Sequence, residues 1–187
     1  MRKIIFSFFL IGFYMCLCGN ALAQTQDTEP DSRGYKVKVG DMAPDFDLKM
    51  PDRSTVKLSS LRGKVVMIQF TATWCGVCRK EMPHIEKEIW QKYKDNKNFA
   101  LYGIHTHYDT KKPLPSQLAE LVKATNVTYP IGLDYKSEIF SQYTIPNAGV
   151  TRNIIIDKEG KIVMLTRLYK VEEFNEMVTL IDDLLKK

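Results

Sequence analysis

The sequence predicts an α/β fold: a mixed central sheet flanked by helices, with an extra β-hairpin on its N-terminal side. Three observations predict it. Apolar runs rich in β-branched residues alternate with segments whose apolar residues recur every three or four positions. Strand–helix–strand connections place neighbouring strands parallel. The last two strands are separated by a tight turn, so they pair antiparallel at an edge.

Residues 46–48 and 55–58 read as a small hairpin turning at Pro51-Asp52-Arg53. Residues 64–70 form an apolar run of the kind covered on both faces. After the loop 71–74, a helix is expected from about Gly76 to Tyr93. Met82, Ile85, Ile89 and Tyr93 supply its buried stripe, and Pro83 sits inside it as a kink. Residues 99–106 read as the next strand. Residues 114–125 read as a helix with Leu118, Leu121 and Val122 on one face. Strands 153–157 and 161–165 turn at Lys158-Glu159-Gly160. Residues 171–185 close the chain as an amphipathic helix through Phe174, Val178, Ile181 and Leu185.

A chain of 187 residues holds one sizeable core and not comfortably two. The composition, 44% hydrophobic and 26% charged, is globular. Net charge is +5, spread in both signs along the chain, with no Arg/Lys stripe interleaved with aromatics; this argues against a nucleic-acid partner. The first 23 residues read as a signal peptide. Arg2 and Lys3 open it, 4–17 is nearly unbroken apolar sequence, and Ala21-Leu22-Ala23 is a small-x-small cleavage site. The apolar run is short for a spanning helix, so no stable membrane span is expected after cleavage. Retention as an uncleaved anchor, or lipid attachment at Cys16 or Cys18, are the alternatives. Residues 24–34 are polar with Pro and Gly and read as a flexible linker, leaving 35–187 as the folded domain.

Cleavage would remove two of four cysteines and leave Cys75 and Cys78. An exported protein stapled by disulfides carries several spread-out cysteines. A single Cys-x-x-Cys pair closes too short a loop to stabilise much, so it points to chemistry. The predicted strand end and helix start place Cys75 at a helix N-terminus. Unpaired backbone N–H groups and the positive end of the helix dipole there favour thiolate over thiol. Cys78 lies one turn in, close enough to form the disulfide and more buried.

Gly40-Asp41-x-Ala43-Pro44-x-Phe46, Gly63-Lys64, Trp74-Cys75-x-x-Cys78-x-x-Glu81-x-Pro83 and Ile156-Asp157-Lys158-x-Gly160-Lys161-Ile162 together resemble the TlpA/ResA-type branch of the thioredoxin superfamily, a relative of the AhpC/TSA redoxins, from about Val39 to the C-terminus. The resemblance implies a thioredoxin-like fold and an extracytoplasmic, periplasmic thiol–disulfide oxidoreductase of protein disulfide reductase type. Its partners would be protein thiols or disulfides and a membrane electron donor or acceptor. It would work as a monomer and need no cofactor or metal. Cys75 and Cys78 would be the redox pair, with Glu81 accepting the Cys78 proton. Trp74, Val150 and Thr151 would be the substrate-contacting residues.

The sequence departs from that pattern in three places. Gln69 stands where many thioredoxins carry a buried Asp, six residues before Cys75, and cannot ionise. Val77 replaces the Pro of Cys-Gly-Pro-Cys, and the intervening dipeptide influences the reduction potential. The family's cis-Pro position falls on Thr151, followed by Arg152 as in peroxiredoxins, with Pro146 out of register by five. Losing that Pro leaves the site more open to metal.

Two other functions compete. A peroxiredoxin-like peroxidase is favoured by residues 40–46 and Thr151-Arg152; against it, Ala72 stands three before Cys75, where the peroxidase cradle needs Thr. A copper-binding or metal-delivery module would use Cys75 and Cys78 with His105 or His107, which alternate at a strand end.

Overall fold

The structure, a computed structural model, describes residues 33–106 and 115–187. The expected strands form where the apolar runs lie: β1 (Asp47–Lys49), β2 (Thr55–Lys57), β3 (Val65–Thr71), β4 (Phe99–Thr106), β6 (Arg152–Ile156) and β7 (Ile162–Leu165). Between β4 and β6 the chain adds two elements that sequence reading missed, β5 (Ile131–Asp134) and α4 (Glu138–Tyr143). Four residues and six residues are too few to show a period. The other helices are α1 (Gly76–Ile85), α2 (Gln91–Tyr93), α3 (Pro115–Thr125) and α5 (Val171–Lys186). The predicted single helix over 76–93 is therefore divided. A π-helical turn, Glu86–Trp90, separates α1 from α2. It begins one turn after Pro83, whose missing N–H interrupts the regular ladder.

The sheet has seven strands in the order β2-β1-β5-β4-β3-β6-β7. β3, β4 and β5 run parallel, in accord with their helical connections. β6 is antiparallel to β3, β7 is antiparallel to β6, and β1 is antiparallel to β5. The N-terminal hairpin thus joins the main sheet, through the pair Lys49–Leu133. Gly132 permits this junction: a Cβ there would lie 2.4 Å from Leu48 Cγ.

Every residue of β3 is buried, so its side chains build both halves of the core. Val65 and Met67 face Met82 and Ile85 of α1, Leu121 of α3 and Met177 of α5. Val66, Ile68 and Phe70 face the other way, onto Phe140 and Tyr143 of α4, Tyr35 and Leu48. The alternation that serves packing also sends Gln69 to the α1 side, opposite Asn153 of β6.

The described chain is anchored from its first residues. Arg33 Nη1 donates to the Leu165 carbonyl at 2.7 Å and pairs with Glu173. The Tyr35 hydroxyl donates to the Thr166 carbonyl at 2.5 Å. Among the described residues no helix is long and apolar enough to cross a membrane.

Candidate active site

β3 runs into buried Ala72, the chain turns through Thr73 and Trp74, and α1 begins at Gly76. Cys75 caps that helix. Its backbone is extended and its sulfur accepts the Cys78 N–H at 3.2 Å. This N–H belongs to the first turn, where no carbonyl of the helix can reach it. Cys75 and Cys78 are joined as a disulfide, with Cα atoms 5.3 Å apart. On reduction, a Cys75 thiolate inherits that donor and the helix dipole, both of which favour the anion. Exposure distinguishes the two cysteines: Cys75 is 8% exposed and Cys78 0%. Trp74, 66% exposed, stands beside Cys75 as an outer wall, and Val77 and Leu168 are exposed apolar neighbours of the motif and of Thr151.

Thr151 faces the sulfurs from the start of β6. Its Oγ1 lies 3.2 Å from Cys75 Sγ and 3.3 Å from Cys78 Sγ. The Ile145–Pro146 bond is trans, and no peptide bond among the described residues is cis. Val150 is placed differently from the expectation of a substrate-contacting rim: its side chain is buried in the apolar cluster that holds both cysteines, so it backs the site. The next residue, Arg152, sends its side chain to the sheet face opposite Asn153. There it donates to the carbonyls of Gly149 (2.8 Å) and Arg33 (2.6 Å) and lies 4.3 Å from the Tyr35 ring centroid. The Thr-Arg pair that favoured a peroxidase therefore turns its guanidinium to the N-terminal segment, and buried Ala72 brings only a methyl.

Glu81 is 2% exposed, one turn beyond Cys78 on α1. It accepts from Asn153 Nδ2 at 2.7 Å and from Gln69 Nε2 at 3.3 Å. Burial, the dominant influence, pushes its pKa up to about 7; the two amide donors pull the other way, and the negative Glu173 adds to the rise. The Tyr129 hydroxyl donates to Gln69 Oε1 at 2.5 Å, and Asn153 Nδ2 also reaches Thr166 Oγ1 at 3.0 Å. Sequence reasoning singled out Gln69 and Glu81 and missed Asn153, Tyr129 and Thr166. The available signal was a polar side chain inside a strand buried on both faces, which needs a partner.

His105, at the end of β4, is 2% exposed. Its Nε2 accepts the backbone N–H of Thr73 at 3.2 Å and lies 2.7 Å from the Thr73 hydroxyl. This histidine pins the loop that carries Trp74 and Cys75. Among the described residues no group of three His, Cys, Asp or Glu could hold a metal ion. His107 lies outside the described residues, as do Cys16, Cys18 and the segment 1–23.

The AhpC/TSA family model matches residues 39–165. The chain belongs to the AhpC/TSA family. Within it, the chain is 30% identical over 130 residues to the thiol-disulfide oxidoreductase ResA of Bacillus cereus, spanning 68% of this chain and 69% of that protein. The solution structure of a candidate protein disulfide isomerase from Bacteroides thetaiotaomicron is 55% identical, with a TM-score of 0.76 over 82% of this chain and 94% of that one. A thiol:disulfide interchange protein of DsbE type from Chlorobium tepidum, 24% identical, shares the fold with a TM-score of 0.64 over 80% of this chain and 99% of that one. This family member is a thioredoxin-like thiol–disulfide oxidoreductase carrying a Cys75–Cys78 pair.

Proposed function

We propose that this AhpC/TSA member is exported and reduces disulfides of extracytoplasmic proteins, with Cys75 as nucleophile and Cys78 as resolving thiol. The observation that carries the reading is the unequal burial of two cysteines at one helix start. In the reduced protein the Cys75 thiolate attacks a partner disulfide, and the departing partner thiolate takes a proton from solvent. Glu81 then removes the Cys78 proton, and the Cys78 thiolate attacks Cys75 Sγ. The second partner thiolate leaves and is protonated, and the Cys75–Cys78 disulfide remains. The partner has gained two electrons and two protons. A membrane electron donor would return the pair to the dithiol. Trp74 and Leu168 offer the partner an apolar rim. A cleft of about 470 Å³ lined by Thr73, Arg79, Glu120 and Lys123 adjoins the cysteine loop.

Export rests on the charged start, apolar run and Ala-x-Ala site of residues 1–23, followed by the polar segment 24–34, whose last residues Arg33 and Gly34 are held on the domain. The deciding experiment equilibrates the protein with thiol/disulfide buffers and reads Trp74 fluorescence. A potential near that of thioredoxin, about −270 mV, supports a reductant, and one toward about −120 mV would make it an oxidant of exported thiols. Failure to form a reversible Cys75–Cys78 bond would overturn the oxidoreductase roles given to these residues.

A further inference from the structure

Gln69 uses both ends of its amide. Nε2 donates to Glu81 Oε2 and Oε1 accepts the Tyr129 hydroxyl. All three side chains are buried. An amide can turn over by half a rotation and exchange its oxygen for its NH2. In one orientation Glu81 meets an N–H donor; in the other it meets a carbonyl oxygen, which repels a carboxylate. A protonated Glu81 could donate its O–H to that oxygen, so the carboxyl by itself does not hold the amide in one orientation.

Tyr129 makes the choice. Gln69 Oε1 is the hydrogen-bond acceptor the described residues give its hydroxyl. Turning the amide would leave that buried O–H without an acceptor, which carries the full desolvation penalty. The phenol stays a donor, since burial, with Glu81 and Glu86 nearby, pushes its pKa well up. We propose that Tyr129, just ahead of β5, is a positioning residue that acts through Gln69: its hydroxyl holds the amide N–H on Glu81 and so favours the ionised carboxylate that receives the Cys78 proton. This rests on the proposed role of Glu81 as acceptor.

The other groups facing Glu81 are accounted for. Cys78 lies one turn back on α1. Asn153 of β6 donates directly, and Thr166, after β7, holds Asn153. Lys170 and Glu173 line the seam on the α5 side, with Glu173 paired to Arg33, and Tyr169 feels the Glu81 charge. None of these contacts Gln69 Oε1.

The test is a carbon-13 NMR titration of the Glu81 carboxyl in the oxidised protein, where neither cysteine titrates. Tyr129→Phe should raise the midpoint by about one pH unit, the scale of one donor lost to a charged group. Gln69→Leu should raise it at least as far. Tyr129→Phe made in the Gln69→Leu background should add nothing. An unmoved midpoint in Tyr129→Phe, or an undiminished effect without Gln69, overturns the assignment. Should Tyr129→Phe fail to fold, a fluorinated tyrosine at position 129, a stronger donor, should lower the midpoint; no change or a rise overturns it. Turnover of a disulfide substrate by the unmodified protein tests the proposed function separately. Absent turnover with these shifts intact overturns that function and supports Tyr129 as a positioning group for Glu81.

Discussion

The hydroxyl of Thr151 stands 3.2 Å from the sulfur of Cys75, at the position where the sequence leads one to look for a proline. In the disulfide form this is a weak contact. In the reduced form the same hydroxyl can donate to a thiolate, beside the Cys78 N–H that already does so. Thr151→Val keeps the shape and removes the donor. The Cys75 pKa should rise by about one unit, since a hydrogen bond to a charged group is of that order. Thiolate absorbance against pH measures it, and an unchanged pKa would deny Thr151 any part in activating Cys75.

Glu81 gives stability a pH dependence. Its pKa is raised from 4.5 to about 7, so the native state binds this proton more tightly than the unfolded chain does. The sign follows: the stability contributed by Glu81 is greatest below pH 4.5, falls as pH rises through this interval, and levels off above about 7, with about 3 kcal/mol lost in all. Urea unfolding across that range should show the slope, and Glu81→Gln should remove most of it.

The same carboxyl should shape the rate of resolution. Below about pH 7 Glu81 is protonated and cannot take the Cys78 proton. Release of the partner from the mixed disulfide should therefore accelerate as pH rises through this value. In Glu81→Gln that rise should vanish while Cys75 attack is kept. Stopped-flow fluorescence separates the two steps.

Arg152 is the largest fully buried side chain among the described residues, and the carbonyls of Gly149 and Arg33 and a tyrosine face hold it. Arg152→Met fills similar space and leaves the Gly149 and Arg33 carbonyls without their donor. The expected loss is roughly 2–4 kcal/mol, read as a lower urea midpoint. The Gly149–Thr151 turn that faces the sulfurs should also protect its amides less well from hydrogen exchange.

Gly132→Ala tests the junction of hairpin and sheet. Its Cβ would fall inside Leu48, which is fully buried, so either the side chain or the strand must move. A cost of about 1–3 kcal/mol is expected. Leu48→Ala combined with Gly132→Ala should recover part of it, as seen by thermal unfolding.

How much of this was legible depended on whether a signal was local. The hairpin 46–58, the buried runs and the last helix carry their periods in the sequence, and each formed within a few residues of its expected bounds. β5 and α4 did not, because Ile131–Asp134 is a strand only by virtue of lying between β4 and β1. The cysteine pair was legible from its spacing, and Trp74 and Glu81 were singled out only by their resemblance to the family motif around it. Asn153, Tyr129 and His105 were not given these roles, because what matters about them is whom they meet across 72, 60 and 32 residues of chain. Polar residues at strand positions announce a need for a partner but do not name it.

The full burial of Cys78 has a kinetic consequence. In the proposed cycle no outside thiol can take the place of Cys78, so the mixed disulfide at Cys75 is resolved by an attack from within the same chain. Its lifetime is then a property of this chain, a first-order constant that no excess of partner can shorten. At saturating substrate and donor that constant sets an upper bound on turnover, and in the proposed cycle the residues that set it are the ones buried around Glu81.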